Sequence, residues 1–275
     1  MIRIGQYNEL TVARTVRIGL YLTDGQDDVL LPMSKVPDGV NDGDTLRVFV
    51  YTDSDDRIVA TTDDPMATVG EIAALQVVDI AEHGAFLDWG LEKDLFVPWR
   101  EMHVELQRGD HVVVGLRLCE HTQRVLASSR IGRLLDYDIE YMQVEQEVEL
   151  LVYGFNAIGA LVLVDGRHAG LLYRNETWRE VRIGQRMTGY VKAVRDDNKL
   201  DVSLQKAGPA GIDQAQARVL SELESRGGYL PLHDKSSPEA IRSTLQMSKK
   251  SFKRAIGGLY KNGRITFEDG GIRAT

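Results

Sequence analysis

The stretch "HGAFLDWG", residues 83–90, puts Phe86 and Asp88 on one side of an extended chain and Leu87 and Trp89 on the other, directly after a glycine. One outward ring is ordinary on a soluble surface. A ring placed there to stack on a ligand should belong to a recurring arrangement, and this one recurs. "IGLYL" (18–22) and "IGALV" (158–162) carry the same glycine as Gly19 and Gly159. From Gly84 a second glycine follows after 25 residues (Gly109) and a cation 15 further on (Arg124). From Gly159 the steps are again 25 (Gly184) and 15 (Lys199), and from Gly19 they are 24 (Gly43) and 14 (Arg57).

Each unit reads as five short strands: one before the first glycine, one after it, a third ("VLLPM", "LFVPW", "GLLYR"), a fourth after the second glycine, and a fifth ending in Ser or Thr. A sheet this small must close on itself to bury a face, which predicts three antiparallel barrels of the OB type. Leu87 and Trp89 then point in, and Phe86 and Asp88 point out. The outer surface of strands two and three is where such barrels hold oligonucleotides, rings stacking on bases while nearby cations meet phosphates. Acidic runs such as "DGQDD" (24–28) and "DGVNDGD" (38–44) fall at turns, where Asp, Asn and Gly are favoured for backbone reasons, so they are read as solvated turns and not as a metal site.

The order V-x5-GAFLDWG, then "RGDHVVV", then "RVLASSR" resembles the S1 RNA-binding domain named after ribosomal protein S1, most clearly over residues 66–133. Residues 147–206 are a second match and residues 1–64 a weaker one. The resemblance implies that Phe86 is the exposed aromatic after the glycine and that His83 is the residue before it, itself a turn residue. It also implies that Val97 replaces a histidine ending the third strand, where the third barrel carries Tyr173. Tyr21 takes the Phe86 position in the first barrel with little basic charge beside it, and is expected to serve interdomain packing. Leu161 takes it in the third, where Tyr173, Arg195, Lys199 and Lys206 are the expected RNA contacts.

After Gly208, Pro209 and Gly211 the pattern becomes helical. "DQAQARVLSELESRG" reads as a helix closed by Gly227 and Gly228, "YLPLH" as a strand, Ser237-Pro238 as the start of a second helix, Ser248 as the cap of a third that stops at Gly263, and "RITFEDGGIRA" as a hairpin. This is the plan of a winged helix. On its third helix Phe252, Ala255, Ile256 and Leu259 form one apolar stripe, leaving Lys250, Arg254, Gly257 and Lys261 outward and Lys253 at the border. A basic stripe beside an exposed glycine suits close approach to a phosphate backbone. The tail "DKSSPEAIRSTLQMSKKSFKRAIGGLYKNGRI" also resembles that of the conserved virulence factor B family. That family joins three S1-type barrels to a winged helix, which implies a cytoplasmic RNA-binding regulator contacting RNA through the third barrel and the winged helix.

The expected fold is therefore mainly β with a C-terminal α+β domain. The barrels occupy residues 1–64, 65–135 and 147–206, a linker 136–146 and the winged helix 207–275. The chain of 275 residues has net charge −8, divided as −13 over residues 1–146 and +5 over 147–275, so a polyanion should meet the second half. No apolar run approaches a membrane span and the N-terminus lacks a secretory plan, which makes the cytoplasm the expected compartment and excludes a membrane partner. Cys119, the one cysteine, sits in a strand-like context and reads as a buried, inert thiol. The six histidines are scattered, and no phosphate loop or nucleophile elbow occurs. Neither catalysis, cofactor nor metal is expected. The reading is a non-enzymatic binder of single-stranded RNA. The alternatives are a DNA-binding transcription regulator using the helix that begins after Ser248, or an assembly module whose acidic barrels dock a basic protein.

Overall fold

The computed structural model describes residues 1–103, 105–174, 177, 180–206 and 208–275. The chain forms two compact units, Met1–Leu135 and Asp136–Thr275. In the first, β1 (Gln6–Val16), β2 (Gly19–Thr23), β3 (Asp28–Pro32), β4 (Thr45–Thr52) and β5 (Ile58–Thr61) close a barrel in the order β1-β2-β3-β5-β4. β1 pairs with β4, and β3 with β5 in parallel. The same cycle recurs in β6 (Ile72–Ala81), β7 (Gly84–Asp88), β8 (Leu95–Pro98), β9 (His111–Leu118) and β10 (Val125–Ser128). In the second unit it recurs in β11 (Glu147–Phe155), β12 (Gly159–Val164), β13 (His168–Tyr173), β14 (Arg186–Val194) and β15 (Leu200–Ser203).

Each mark of the sequence repeat has its own cause. At Gly19, Gly84 and Gly159 a Cβ would collide with a backbone carbonyl of the neighbouring strand, that of Leu31, Val97 or Leu172. Gly43, Gly109 and Gly184 have positive φ, 94°, 92° and 81°, and at Gly43 and Gly109 a Cβ would meet open space. They donate N–H to Val12, Val77 and Val152, at 2.8 Å in every barrel, where the first strand carries its irregularity. Before each marker cation a residue turns left-handed to make the last hairpin: Asp56 (φ 63°), Gln123 (54°) and Asn198 (55°). These turns close through matching bonds from Asp53 N to Arg57 O, Cys119 N to Arg124 O and Arg195 N to Lys199 O, all 2.9 Å.

The first barrel has a core of its own, and its Phe49, Tyr51 and Val59 join the core of the second. Leu87 is fully buried inside the second barrel, as the alternation requires, but Trp89, also buried, turns its ring to the first barrel. It meets Phe49 edge-on at 5.7 Å and Tyr51 at 6.3 Å, and its indole N–H donates to the Lys93 carbonyl. The Lys93 ammonium donates to the carbonyls of Thr52 (3.1 Å) and Asp53 (2.5 Å), and burial pulls its pKa down. Arg124 pairs with Asp56, and the Thr52 hydroxyl donates to the Gln123 carbonyl. Cys119 is not a core residue: it lies half-exposed just past the end of β9, its thiol pulled below the usual range by the hydrogen bond with Thr122 and by backbone bonds at the turn.

In the second unit residues 136–146 pack Ile139 and Met142 into the core of the third barrel. Buried His168 holds this segment: its Nδ1–H donates to the Asp136 carbonyl at 2.8 Å, and Nε2 accepts from the Tyr141 hydroxyl. The winged helix comprises α1 (Gly208–Ser225), β16 (Tyr229–Leu230), α2 (Pro238–Leu245), α3 (Lys249–Lys261), β17 (Ile265–Glu268) and β18 (Gly271–Ala274). Its strand order is β16-β18-β17. α1 starts ahead of Asp213 because a proline is tolerated in the first turn of a helix, where its missing N–H costs nothing. Ser237 and Ser248 cap α2 and α3, accepting from Ala240 N (3.1 Å) and Ser251 N (2.9 Å).

Replacing Gly159 by Ala is expected to destabilise the third barrel by about 1–3 kcal/mol, the usual cost of overpacking. Gly257→Ala, in open space on α3, should gain up to about 1 kcal/mol from helix propensity. Urea titration of both variants measures the difference, and equal effects would remove the close-approach explanation.

Candidate nucleic-acid interface

On the second barrel, Phe86 faces Phe96 directly across β7 and β8, with ring centroids 5.3 Å apart. The register corrects one sequence expectation. Gly84 pairs with Pro98 as Gly159 pairs with Tyr173, so Pro98 and not Val97 stands at the Tyr173 position. Val97 is fully buried, because alternation along β8 sends Phe96 out and Val97 in. Phe96, Arg124 and Leu126 separate two surface hollows of about 240 and 520 Å³. Tyr51, Trp89 and Lys93 help line the first, and His83, Trp99 and Arg100 the second. His83 is exposed at the turn, its carbonyl accepting the Trp99 N–H at 3.1 Å. Carboxylates flank the rings. Asp79 is the cross-strand partner of Phe86 and Asp88 shares its face, and burial together with Asp88 and Asp79 pushes the Asp94 pKa up. Acidic side chains thus stand beside Phe86, while Lys93 and Arg124 line the same hollow.

In the first barrel Tyr21 lies beneath the Arg14 guanidinium, 4.1 Å from the ring centroid, and Arg14 is paired with Asp28 at 2.9 Å. What covers this ring is an arginine of its own barrel, in place of the expected interdomain packing, because Arg14 is its cross-strand partner on β1.

On the third barrel Tyr173 ends β13 half-buried, with the Lys192 ammonium 5.8 Å from its ring centroid and its hydroxyl 3.4 Å from Asp201. Lys206 stands 5.9 Å from the Tyr190 ring. Arg195 and Lys199 share the β14–β15 turn, and both bind Asp197, at 3.0 and 3.1 Å, while Arg195 also reaches Asp201 at 3.6 Å. The hydrogen bond from Lys199, with Arg195 adding to it, holds the Asp197 carboxyl below the usual range. The marker cations of all three barrels are thus paired, Arg57 with Asp53 and Asp55, Arg124 with Asp56, and Lys199 with Asp197. Sequence reading missed Phe155 and Ile158, both about half exposed at the turn ahead of Gly159 and hence beside Tyr173. The match of Ile158-Gly159 to His83-Gly84 was the available signal.

On α3 the expected division holds: Phe252, Ala255, Ile256 and Leu259 are buried, and Lys250, Lys253, Arg254, Gly257 and Lys261 are exposed. The helix contains no acidic residue. Among the described residues, none of these four cations forms an ion pair. Their charge stays available to an incoming polyanion, unlike that of Arg195 and Lys199. Tyr260, 56% exposed, and Phe267 on β17, 47% exposed, were not anticipated; their ring centroids are 4.9 Å apart. Phe267 shares the parity of buried Ile265, so period-two reading would have hidden it in the core.

Residues 4–63 and 69–116 match the S1 domain model, residues 138–206 that of the virulence regulatory factor CvfB second domain, and residues 217–273 that of the CvfB-like winged helix domain. The chain is similar to an uncharacterized protein, YitL, of Bacillus subtilis (strain 168), at 32% identity over 98% of this chain and 92% of the relative. It is similar to conserved virulence factor B of Staphylococcus aureus (strain MRSA252), at 30% identity over 86% of this chain and 83% of the relative. Among solved structures it resembles a multidomain protein with nucleic acid binding domains from Streptococcus pneumoniae, at 24% identity and TM-score 0.47, covering 99% of this chain and 98% of that one.

Because Asp197 neutralises two cations beside Tyr173, Asp197→Asn is expected to tighten binding of single-stranded nucleic acid several-fold at low salt and to steepen its salt dependence. Fluorescence anisotropy across a salt series reads both. Unchanged affinity and slope would place this turn outside the interface.

Proposed function

The chain belongs to the conserved virulence factor B family, and from that premise we propose that it is a nucleic-acid-binding regulator that holds single-stranded RNA, without catalysis, through its third barrel and winged helix. The observation that carries this reading is the α3 face, where Lys250, Lys253, Arg254 and Lys261 stand exposed with no acid on the helix and, among the described residues, no ion pair. Cations left in water are displaced toward phosphate at little cost, because no internal pair must break first. Tyr173, Arg195, Lys199 and Lys206 supply the barrel's share, a ring for one base and charges that are partly offset at Arg195 and Lys199 by Asp197. Phe86 and His83 make a secondary contact, weakened by Asp79 and Asp88. In the same reading the modules are residues 1–64, 65–135, 147–206 and 207–275, with 136–146 joining the second barrel to the third, and the protein works in the cytoplasm. Among the described residues no helix is long and apolar enough to cross a membrane.

The test is binding of the intact chain to single-stranded RNA, single-stranded DNA and duplex DNA across a salt series. The chain should prefer single-stranded RNA. Replacing Lys250, Arg254 and Lys261 together by Ala leaves the buried stripe intact, and should lower affinity across unrelated RNA sequences while reducing the salt slope by about 0.7 for each phosphate contact removed. Preference for one duplex, abolished by the same variant, would instead make α3 a DNA-reading helix. Tyr173→Ala should weaken RNA binding more than Phe86→Ala, since stacking contributes about 1–3 kcal/mol per base and, among the described residues, a lysine stands over Tyr173 but not over Phe86. The reverse order would move the main contact to the second barrel.

A further inference from the structure

We propose that Tyr260 and Phe267 form a stacking platform for one unpaired nucleobase at the junction of α3 and the wing. This rests on the reading of the winged helix as part of the RNA-holding surface and adds to it the feature that selects single strands. The rings come from two elements, the last turn of α3 and the outer strand β17, and meet at 4.9 Å with their planes tilted by 45°. About half of each ring remains in water, so the pair does not complete the core, which closes beneath it with Ile256, Leu259 and Ile265 all at least 98% buried.

Position along the helix ties the platform to the charge. Tyr260 follows Gly257 by three residues and Lys253 by seven, and these spacings place all three on adjoining stripes of one helix face. Gly257 has open space where a Cβ would be, so a backbone can approach between the lysine and the ring. Lys261 and Arg264 are exposed on the chain just beyond. The nearest carboxylate on the wing, Glu268, is bound to Arg273 at 2.6 Å, while Asp269 is exposed at the hairpin turn.

This chemistry fits an unpaired base and not a duplex. In a duplex both faces of every base are covered by neighbours, and the outside offers phosphate, sugar and base edges, which gain nothing from a ring face. A strand with unstacked bases offers a flat face next to each phosphate, so a ring beside a cation engages both at once. The platform is therefore expected to contribute affinity that is independent of salt, alongside the salt-dependent part from Lys250, Lys253, Arg254 and Lys261.

The experiment uses the full chain with the double variant Tyr260→Leu, Phe267→Leu, which keeps apolar bulk and removes the rings. A short oligouridylate is the probe, because uridines stack weakly on one another, together with an abasic strand of the same length and a duplex DNA. The expected result is a loss on the order of 5- to 150-fold on oligouridylate, an unchanged salt slope, and parent-like binding to the abasic strand and the duplex. Parent-like binding to oligouridylate, or an equal loss on the abasic strand, overturns the platform. The charge variant at Lys250, Arg254 and Lys261 is measured in parallel. If it loses affinity with a flatter slope while the ring variant does not, RNA binding by the winged helix stands and the platform falls. If neither variant changes RNA binding, both readings fall. Should the double variant fail to fold by circular dichroism, Tyr260→Leu alone, at the more exposed ring, gives the same reading.

Discussion

The close passage of the second and third strands of each barrel is the contact on which the rest depends. Where β2 crosses β3, β7 crosses β8 and β12 crosses β13, a carbonyl lies in the space a side chain would occupy, and glycine is the one residue that leaves it clear. The barrel closes where the first strand pairs with the fourth, which gives a unit of about sixty residues a closed core. Closure also turns the outer face of the second strand toward solvent, which is why the residue two beyond the glycine, Tyr21, Phe86 or Leu161, is half-buried in every barrel.

Once the backbone is fixed, the three outer faces differ by what lies opposite that residue. Arg14 covers Tyr21 and Phe96 stands against Phe86, while Leu161 faces Leu171, with Phe155 and Tyr173 at the strand ends nearby. One backbone solution has been given three surface chemistries. The first two barrels are then locked together by Trp89 on Phe49 and Tyr51 and by the Lys93 ammonium on the carbonyls that end β4. Much of the charge difference between the halves of the chain therefore belongs to a joined pair of barrels whose carboxylates accept backbone N–H groups at turns, as Asp24 does from Gln26 and Asp27.

What could be read from the sequence was whatever the backbone demands at a fixed spacing. The glycines at the crossings, the positive-φ glycines before the fourth strand and the left-handed residue before each marker cation recur because geometry leaves few alternatives, and caps such as Ser237 and Ser248 are local enough to be seen directly. What could not be read depends on partners distant in sequence. The placing of Pro98 opposite Gly84 is a pairing fact, and a shift of one residue exchanges the inner and outer faces. Trp89 has the parity of a barrel interior, but its partners lie about forty residues earlier in another barrel, so alternation gave its burial and not its neighbour. Cys119 sits beyond the last ladder residue of β9, where strand-like composition no longer implies a strand.

The same distinction separates cations that are paired within the fold from those that are not. Counting Lys and Arg by position gives Arg195 and Lys199 the same weight as Lys250 and Arg254, and the net +5 of the second half treats them alike. Once folded they are unequal. In the first and third barrels the last hairpin turn, rich in Asp and Asn for its backbone, brings a carboxylate within 3.1 Å of the cation that closes it, while in the second the partner of Arg124 is Asp56 from the first barrel's turn. A helix makes no such demand. Capped by an uncharged serine and free of acids along its length, α3 presents Lys250, Lys253, Arg254 and Lys261 with no ion-pair partner among the described residues, and its one exposed glycine keeps the approach open. Under the proposed reading the barrels would supply shape and rings, and the winged helix unpaired charge beside a ring pair of its own.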